Sequence, residues 1–286
     1  MGERLKAWYW LTKPGIVYGN LITAAAGFLL ASRWHPDPTR LVAMLAGLGL
    51  IIAAACVFNN VLDRGLDARM ARTRQRALVT GRITPAAALI YATLLSLIGA
   101  TLLAAFTNRL TLALALAGLL GYVAVYGAAK RLTTAGTLIG SLPGAVPPAA
   151  GYVAVTGRIT PAALLLFAVL VVWQMPHFYS IALFRLHDYT AAGLPVLPAK
   201  RGPATTKRRI LAWILGFTLI APLLAVFGYT NPIYLIGMLV LGLAWLFLGL
   251  TRLSKLNDET WGRTMFRFSL IVLLAFSALV TLTVRN

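Results

Sequence analysis

Asp63, Asp67 and Asp188 are three of only seven acidic residues in a chain of 286. All three stand at the ends of long apolar runs, among arginines and lysines. Asn59, Asp63 and Asp67 follow one another at i, i+4 and i+8. On a helix of about 3.6 residues per turn, each step of four rotates the face by about 40°, so one amide oxygen and two carboxylates share a stripe. Hard divalent cations such as Mg²⁺ take oxygen ligands of this kind, commonly one or two carboxylates together with substrate phosphates. Asp188 ends another apolar run on the same predicted side and is expected to face the stripe across a cavity. Arg72, Arg76, Lys130, Arg131 and Lys200 lie just beyond these acids, and guanidinium groups grip phosphate oxygens bidentately. Acids, metal and cations together describe a diphosphate site at a membrane surface, with an apolar cavity below it suited to a polyisoprenoid tail. The competing reading pairs Asp63 and Asp67 with Arg64 and nearby arginines as interfacial salt bridges, and leaves the basic loops to obey the positive-inside rule alone.

The elements that must position these groups are membrane helices. The chain is 59% hydrophobic and 12% charged, with a mean hydropathy of +0.81, against about 25% charged in soluble domains. Apolar stretches near membrane-spanning length recur throughout, at roughly 16–32, 41–62, 86–106, 110–129, 136–156, 161–184, 209–228, 231–251 and 265–284. The expected fold is therefore all-α and polytopic, with nine transmembrane helices in one membrane domain over 1–286. With the N-terminus in the cytoplasm, only Arg33, Arg40, Arg109, Arg158 and Arg285 of the 26 cations fall on the outer side, a strong positive-inside bias. That places the C-terminus outside and the loops at about 63–85 and 185–208 in the cytoplasm. These two loops are long and carry six cations each, counting Arg209 at the edge of the second; long loops in a compact protein tend to be functional, and here they cap the site. Neither a cleavable signal peptide nor a myristoylation signal is read at the start, and Trp8, Tyr9 and Trp10 suit an interfacial anchor. A net charge of +19 in this setting points to the lipid bilayer and phosphorylated substrates, not to nucleic acid.

Other residues carry weaker signals. Gly140 and Gly144 permit close helix contact, and Pro143, Pro147 and Pro148 are expected to break or kink the fifth span. His177 lies inside the sixth span, where a lone histidine is either a hydrogen-bonded core residue or a haem ligand or proton carrier. His187 reads as interfacial, His35 as a loop residue and Cys56 as packing. No serine–histidine–acid arrangement, nucleotide-binding glycine loop or zinc spacing is visible.

At several segments the chain resembles the UbiA-type intramembrane prenyltransferases, and within them the heme O synthase (protoheme IX farnesyltransferase) branch. These are Leu11-Thr12-Lys13-Pro14-Gly15 with Gly19-Asn20; FNNVLDRGLDARMARTRQRAL from Phe58; Lys130-Arg131; GSLPGAVPPAAG from Gly140; WQMPHFYSIALFRLHDY from Trp173; Gly193 to Pro198; and Met265-Phe266 with Ser269-Leu270. The resemblance implies nine helices around a central cavity, and a Mg²⁺-dependent transfer of farnesyl from farnesyl diphosphate to a vinyl group of heme B. Hydration would then give heme O. It implies Asn59, Asp63, Asp67 and Asp188 as the catalytic metal-holding set and Arg72, Arg76, Lys130, Arg131 and Lys200 on the diphosphate. Lys13, Asn20, Asn60, Gln174, His177, Tyr179 and Arg185 would contact haem or the prenyl chain. A heme A synthase or a terminal oxidase is the implied partner. Most of the superfamily carries Asp-x-x-x-Asp on the sixth helix, whereas here Asp188 is followed by Ala192, a loss the heme O synthase branch shares. The alternatives are a quinone-type aromatic prenyltransferase and, from a different class, a membrane transporter, which predicts midplane charges and inverted repeats.

Overall fold

The computed structural model describes residues 2–285. Among them, nine helices are long and apolar enough to cross a membrane. In chain order the elements are α1 (Glu3–Leu11), α2 (Pro14–Ser32), α3 (Pro38–Leu62), α4 (Arg64–Arg69), α5 (Pro85–Phe106), α6 (Arg109–Leu120), a π-helical stretch (Gly121–Tyr126) and α7 (Gly127–Leu132). There follow α8 (Gly136–Thr156), α9 (Pro161–Phe184), α10 (Leu186–Ala191), α11 (Leu197–Ile220), α12 (Leu223–Val226), α13 (Pro232–Thr251) and α14 (Asp258–Leu282). The fourth span is α6 to α7 without a break, Arg109–Leu132.

Backbone polar groups in lipid must be satisfied within the helix, so span starts need their own partners. The sequence supplies them. Asp37, Thr84 and Asn231 cap α3, α5 and α13, each followed by a proline at the first helical position, where its missing N–H costs nothing. Asn108 and Asn257 cap α6 and α14. In the bundle α2 packs on α3 and α8, α3 on α5, and α8 on α9, while α11 and α14 pack on the other side of α9. Two crossings are set by glycine pairs. A Cβ on Gly27 would sit 2.0 Å from the carbonyl oxygen of Pro148, and one on Gly151 2.0 Å from that of Ala24. Gly47 and Gly99 lock α3 to α5 in the same reciprocal way. Small residues at both sides let backbones touch, which replaces the hydrophobic drive that lipid removes. Large apolar side chains such as Leu97, Val240, Phe247 and Leu274 stay exposed on the outer faces, where lipid covers them.

Five expectations need correction. The seventh span begins at Leu197, not 209, and turns at Gly202 (φ 80°, ψ 162°). The ninth begins at Asp258, not 265, and the fourth runs on to Leu132. In each case charged residues continue a helix past the apolar run, because a helix outside lipid has no reason to exclude them. The fifth span is not broken: α8 runs through Pro143, Pro147 and Pro148. The close contact expected at Gly140 and Gly144 is with the Tyr126 ring and the Gln174 amide, while backbone-to-backbone approach falls at Gly151.

Candidate active site

A chamber of about 470 Å³ opens where α3, the π-helical stretch, α8 and α9 converge. Its depth is apolar, lined by Leu48, Ile51, Leu119, Val146 and Leu170 among others. Its mouth carries charge: Lys13, Asn59, Asp63, Asp67, Arg72, Arg76 and Lys130 all line it. Both long loops contribute wall, the first through Met70, Arg72 and Arg76, the second through Tyr189 and Leu194 to Val196.

The acids are held as follows. α3 ends at Leu62, so Asn59 is the last stripe residue inside it, Asp63 is its C-cap, and Asp67 rides on α4. The backbone keeps helical spacing across the junction, with Asp63 N–H donating to Asn59 O at 2.9 Å and Asp67 N–H to Asp63 O at 2.8 Å. Asn59 donates its amide to Asp63 Oδ2 at 2.9 Å, and Lys130 Nζ donates to Asn59 Oδ1 at 2.7 Å and to Asp63 Oδ2. Arg131 donates to Asp63 Oδ1 at 3.0 Å and to the Leu62 carbonyl at 2.6 Å, closing the C-terminus of α3. Asp67 is buried and takes Arg76 Nη1 at 2.7 Å; the same nitrogen reaches Asn60 Oδ1 at 3.3 Å. Asn60 in turn donates to Leu11 O at 2.8 Å, tying the stripe to the end of α1.

Both acids are therefore ion-paired, as the competing reading required, but with Lys130, Arg131 and Arg76 and not with Arg64. Two of those three partners, Lys130 and Arg76, face the chamber, as does Asn59. Lys130 places a cation between an amide oxygen and a carboxylate, at the mouth of an apolar cavity. Hard oxygen donors around a cation seat are the ligand type Mg²⁺ takes, so the residues present fit that ion.

Other predicted residues divide. Asn20, Gln174 and His177 line the chamber with Lys13; Asn60, Arg131, Tyr179, Arg185, Asp188 and Lys200 do not. Asp188 stands on α10 with Arg185 at 3.9 Å. The helix breaks at Arg185 (φ −111°, ψ 20°), which resets the rotation and puts Tyr189 on the wall instead. Among the described residues no three His, Cys, Asp or Glu side chains cluster closely enough to hold a metal by themselves. Lys200 is exposed. Lys13 adopts a left-handed backbone (φ 53°) just before Pro14. It lines both the chamber and a neighbouring cavity of about 370 Å³ under α1. Burial pushes its ammonium pKa below the usual lysine range, against a smaller upward pull from Cys56. Burial raises the Tyr189 hydroxyl pKa, with Arg72 and Arg185 opposing it, so α10 sits against the first loop.

His177 is oriented by α14. Ser269 Oγ donates to Phe266 O at 2.5 Å, so its lone pair accepts from His177 Nδ1–H at 2.7 Å and leaves Nε2 as the free acceptor. The ring stacks on Trp173 at 4.8 Å, and Trp173 donates to Ser269 O at 2.9 Å. Tyr122, Tyr126 and Tyr189 were not anticipated as wall residues. Their only signal was aromatic residues near Lys130 and Asp188, and Lys130 does lie over the Tyr126 ring at 5.2 Å.

The model of the UbiA prenyltransferase family matches residues 20–271. The chain is 47% identical over 276 residues to a protoheme IX farnesyltransferase of Protochlamydia amoebophila, covering 96% of this chain and 98% of that protein. It is 44% identical over 279 residues to a protein of the same name from Edwardsiella ictaluri, covering 97% and 94%. Among solved structures, a digeranylgeranylglyceryl phosphate synthase superposes with TM-score 0.78 at 19% identity, covering 98% and 99%. A UbiA homologue from Archaeoglobus fulgidus bound to GPP and Mg²⁺ superposes with TM-score 0.72 at 15% identity, covering 96% and 100%. At these identities the superpositions establish the fold.

Proposed function

The chain belongs to the UbiA prenyltransferase family, and from that premise we propose that it transfers the farnesyl group of farnesyl diphosphate to a vinyl group of heme B. Water then completes the hydroxyethylfarnesyl side chain of heme O. The observation that carries the reading is the mouth of the chamber, where Asn59, Asp63 and Asp67 meet Lys130, Arg72 and Arg76 above an apolar cavity. The names of the relatives at 42–47% identity support the substrates.

In this reading Asn59, Asp63 and Asp67 would hold Mg²⁺, and Asp188, off the chamber wall on α10, stands outside that set. The bound ion supplies neutralisation of the diphosphate oxygens. Lys130 exchanges Asp63 for the diphosphate as substrate enters, and Arg72, Arg76, Arg131 and Lys200 complete the positive rim. Stabilising charge on the leaving group is the largest catalytic contribution expected here. The apolar depth takes the farnesyl tail and keeps bulk water from the allylic cation. The vinyl carbon bonds farnesyl C1 as the C1–O bond breaks, and no enzyme nucleophile is needed. His177, its Nδ1–H spent on Ser269, presents Nε2 to the haem iron; such a fixed tautomer is how imidazole ligands are oriented. Lys13 and Asn20 support the substrates from the wall, and Asn60 acts behind it by holding Arg76. The mouth faces the cytoplasm, and the product passes to a heme A synthase or a terminal oxidase.

The test is the mass of haem extracted from membranes that carry the chain, with Asp63→Ala as control. Heme O with the native chain and none with the variant is expected. An aromatic prenyl product with unmodified haem would overturn the reading in favour of a quinone-type enzyme, and no prenylated product would favour a transporter.

A further inference from the structure

Gln174 has an atom that nothing above uses. Its side chain is 4% exposed, and its orientation is fixed by chemistry. Nε2 donates to the Ser141 carbonyl at 3.1 Å and the Leu170 carbonyl at 3.0 Å, and two carbonyls can be served only by the NH₂ end of the amide. Oε1 is thereby turned toward Gly144, where a Cβ would lie 2.1 Å from it. Among the described residues Oε1 accepts no protein hydrogen bond, yet it is not among the atoms sealed from solvent. Gln174 and Gly144 both line the chamber, between Pro143, Val146, Leu170 and Trp173. Elsewhere on the wall Asn20 Nδ2 is spent on Ile16 O, Asn59 Oδ1 on Lys130 and His177 Nδ1 on Ser269, while His177 Nε2 and the tyrosine hydroxyls nearer the mouth belong to the haem and diphosphate ends of the chamber. An acceptor with no protein partner that stays open to the chamber takes its donor from there, and the smallest donor is water.

We propose that Gln174 Oε1 holds the water that quenches the haem side-chain cation, and so decides that the product is an alcohol. The proposal rests on the haem-farnesylation reading. In that reaction the C1–O pair leaves with the diphosphate, and the vinyl π pair forms the new carbon–carbon bond. The neighbouring carbon is left cationic and takes a lone pair from the held water. The proton released goes to the departed diphosphate, the strongest base in the chamber. An amide oxygen is too weak a base to keep that proton; its part is to accept one O–H and aim the lone pair. Without the held water the cation loses a neighbouring proton to the same diphosphate, and the product is an alkene, lighter by one water. Gly144 belongs to the device because any side chain there would fill the space in which Oε1 lies.

Two variants test this. Gln174→Met keeps the length and bulk and removes the acceptor; Gly144→Ala keeps Gln174 and displaces its Oε1. Membranes carrying each are supplied with heme B and farnesyl diphosphate, and extracted haems are weighed while diphosphate release is followed. In both variants the alkene-to-alcohol ratio is expected to rise at least about tenfold, whatever the change in total diphosphate release, which lowers both products alike. An unchanged ratio in both variants overturns the proposal. So does an equal loss of both products, since that is what a packing role gives. If the native chain makes no farnesylated haem, the farnesyl-transfer reading falls and this inference with it. If the native chain makes the alcohol and both variants do as well, only the role of Gln174 falls.

Discussion

Asp63 meets two cations and an amide within hydrogen-bond reach, so removing its charge disturbs more than a metal site. Asp63→Ala leaves Lys130, itself largely buried, facing only Asn59, a costly arrangement. Asp63→Asn removes the charge but keeps one of the two acceptor oxygens and nearly the same shape. If Asp63 holds the ion, both substitutions lower heme O formation by about 10²–10³-fold, and raising Mg²⁺ partly rescues the amide variant only. If Asp63 is merely a salt-bridge partner, the asparagine variant keeps most of its activity in the same membrane assay. Lys13 gives a prediction with a sign. Its pKa is depressed by burial, so it is charged below that lowered value and neutral above it. Anion affinity owed to Lys13 is therefore present at low pH and lost as pH rises through the lowered pKa, earlier than for an exposed lysine near 10.4. Folding stability runs the other way, because the folded state binds fewer protons across that window and gains as pH rises. Lys13→Arg keeps its charge throughout. The KM for farnesyl diphosphate is expected to climb on the alkaline side for the native chain and to stay flat for the arginine variant; parallel profiles would remove Lys13 from the anion site.

At the scale of elements, the glycine crossings carry the helix geometry that brings α3, α8 and α9 around one chamber. Gly151→Ala puts a methyl 2.0 Å from a backbone carbonyl on α2, so the helices must part. Overpacking of this kind costs about 1–3 kcal/mol and is expected to lower the melting temperature in detergent. Gly216→Ala on α11, which meets nothing within 4 Å, is the control and should leave it unchanged or raise it. The spans themselves were legible because hydropathy reports the lipid-crossing part of a helix. Their true ends were written in a different signal, the Asp37-Pro38, Thr84-Pro85 and Asn231-Pro232 caps, which hydropathy does not weigh. The stripe was legible because Asn59, Asp63 and Asp67 are local in sequence. Which cation each acid meets was not, because Lys130 is 67 residues from Asp63 and only packing brings them together. Asp188 shows the limit from the other side: helical phase carried past Arg185 fails as soon as the helix ends there.

On the proposed function the whole molecule must take a multiply charged diphosphate from one side of the bilayer, since that group does not cross hydrocarbon. The side is set by the facing of the chamber mouth, formed where α3 ends after the second span. The Arg252 turn follows the eighth span and so shares that side, while the Arg158 turn follows the fifth and lies opposite. Twenty-one of the 26 cations belong to the mouth side by the same counting of spans, and cations are retained on the cytoplasmic face during insertion. The single cysteine makes this testable without engineering a background, because Cys56 is 1% exposed inside the bundle and should not react with a membrane-impermeant maleimide. Arg252 and Arg158 are both exposed. Arg252→Cys is expected to label only in inverted vesicles and Arg158→Cys only in right-side-out ones, with heme O formation unchanged in each. The opposite pattern would turn the mouth away from the compartment that holds prenyl diphosphates. No arrangement of Asn59, Asp63 and Lys130, however well formed, could then meet its substrate.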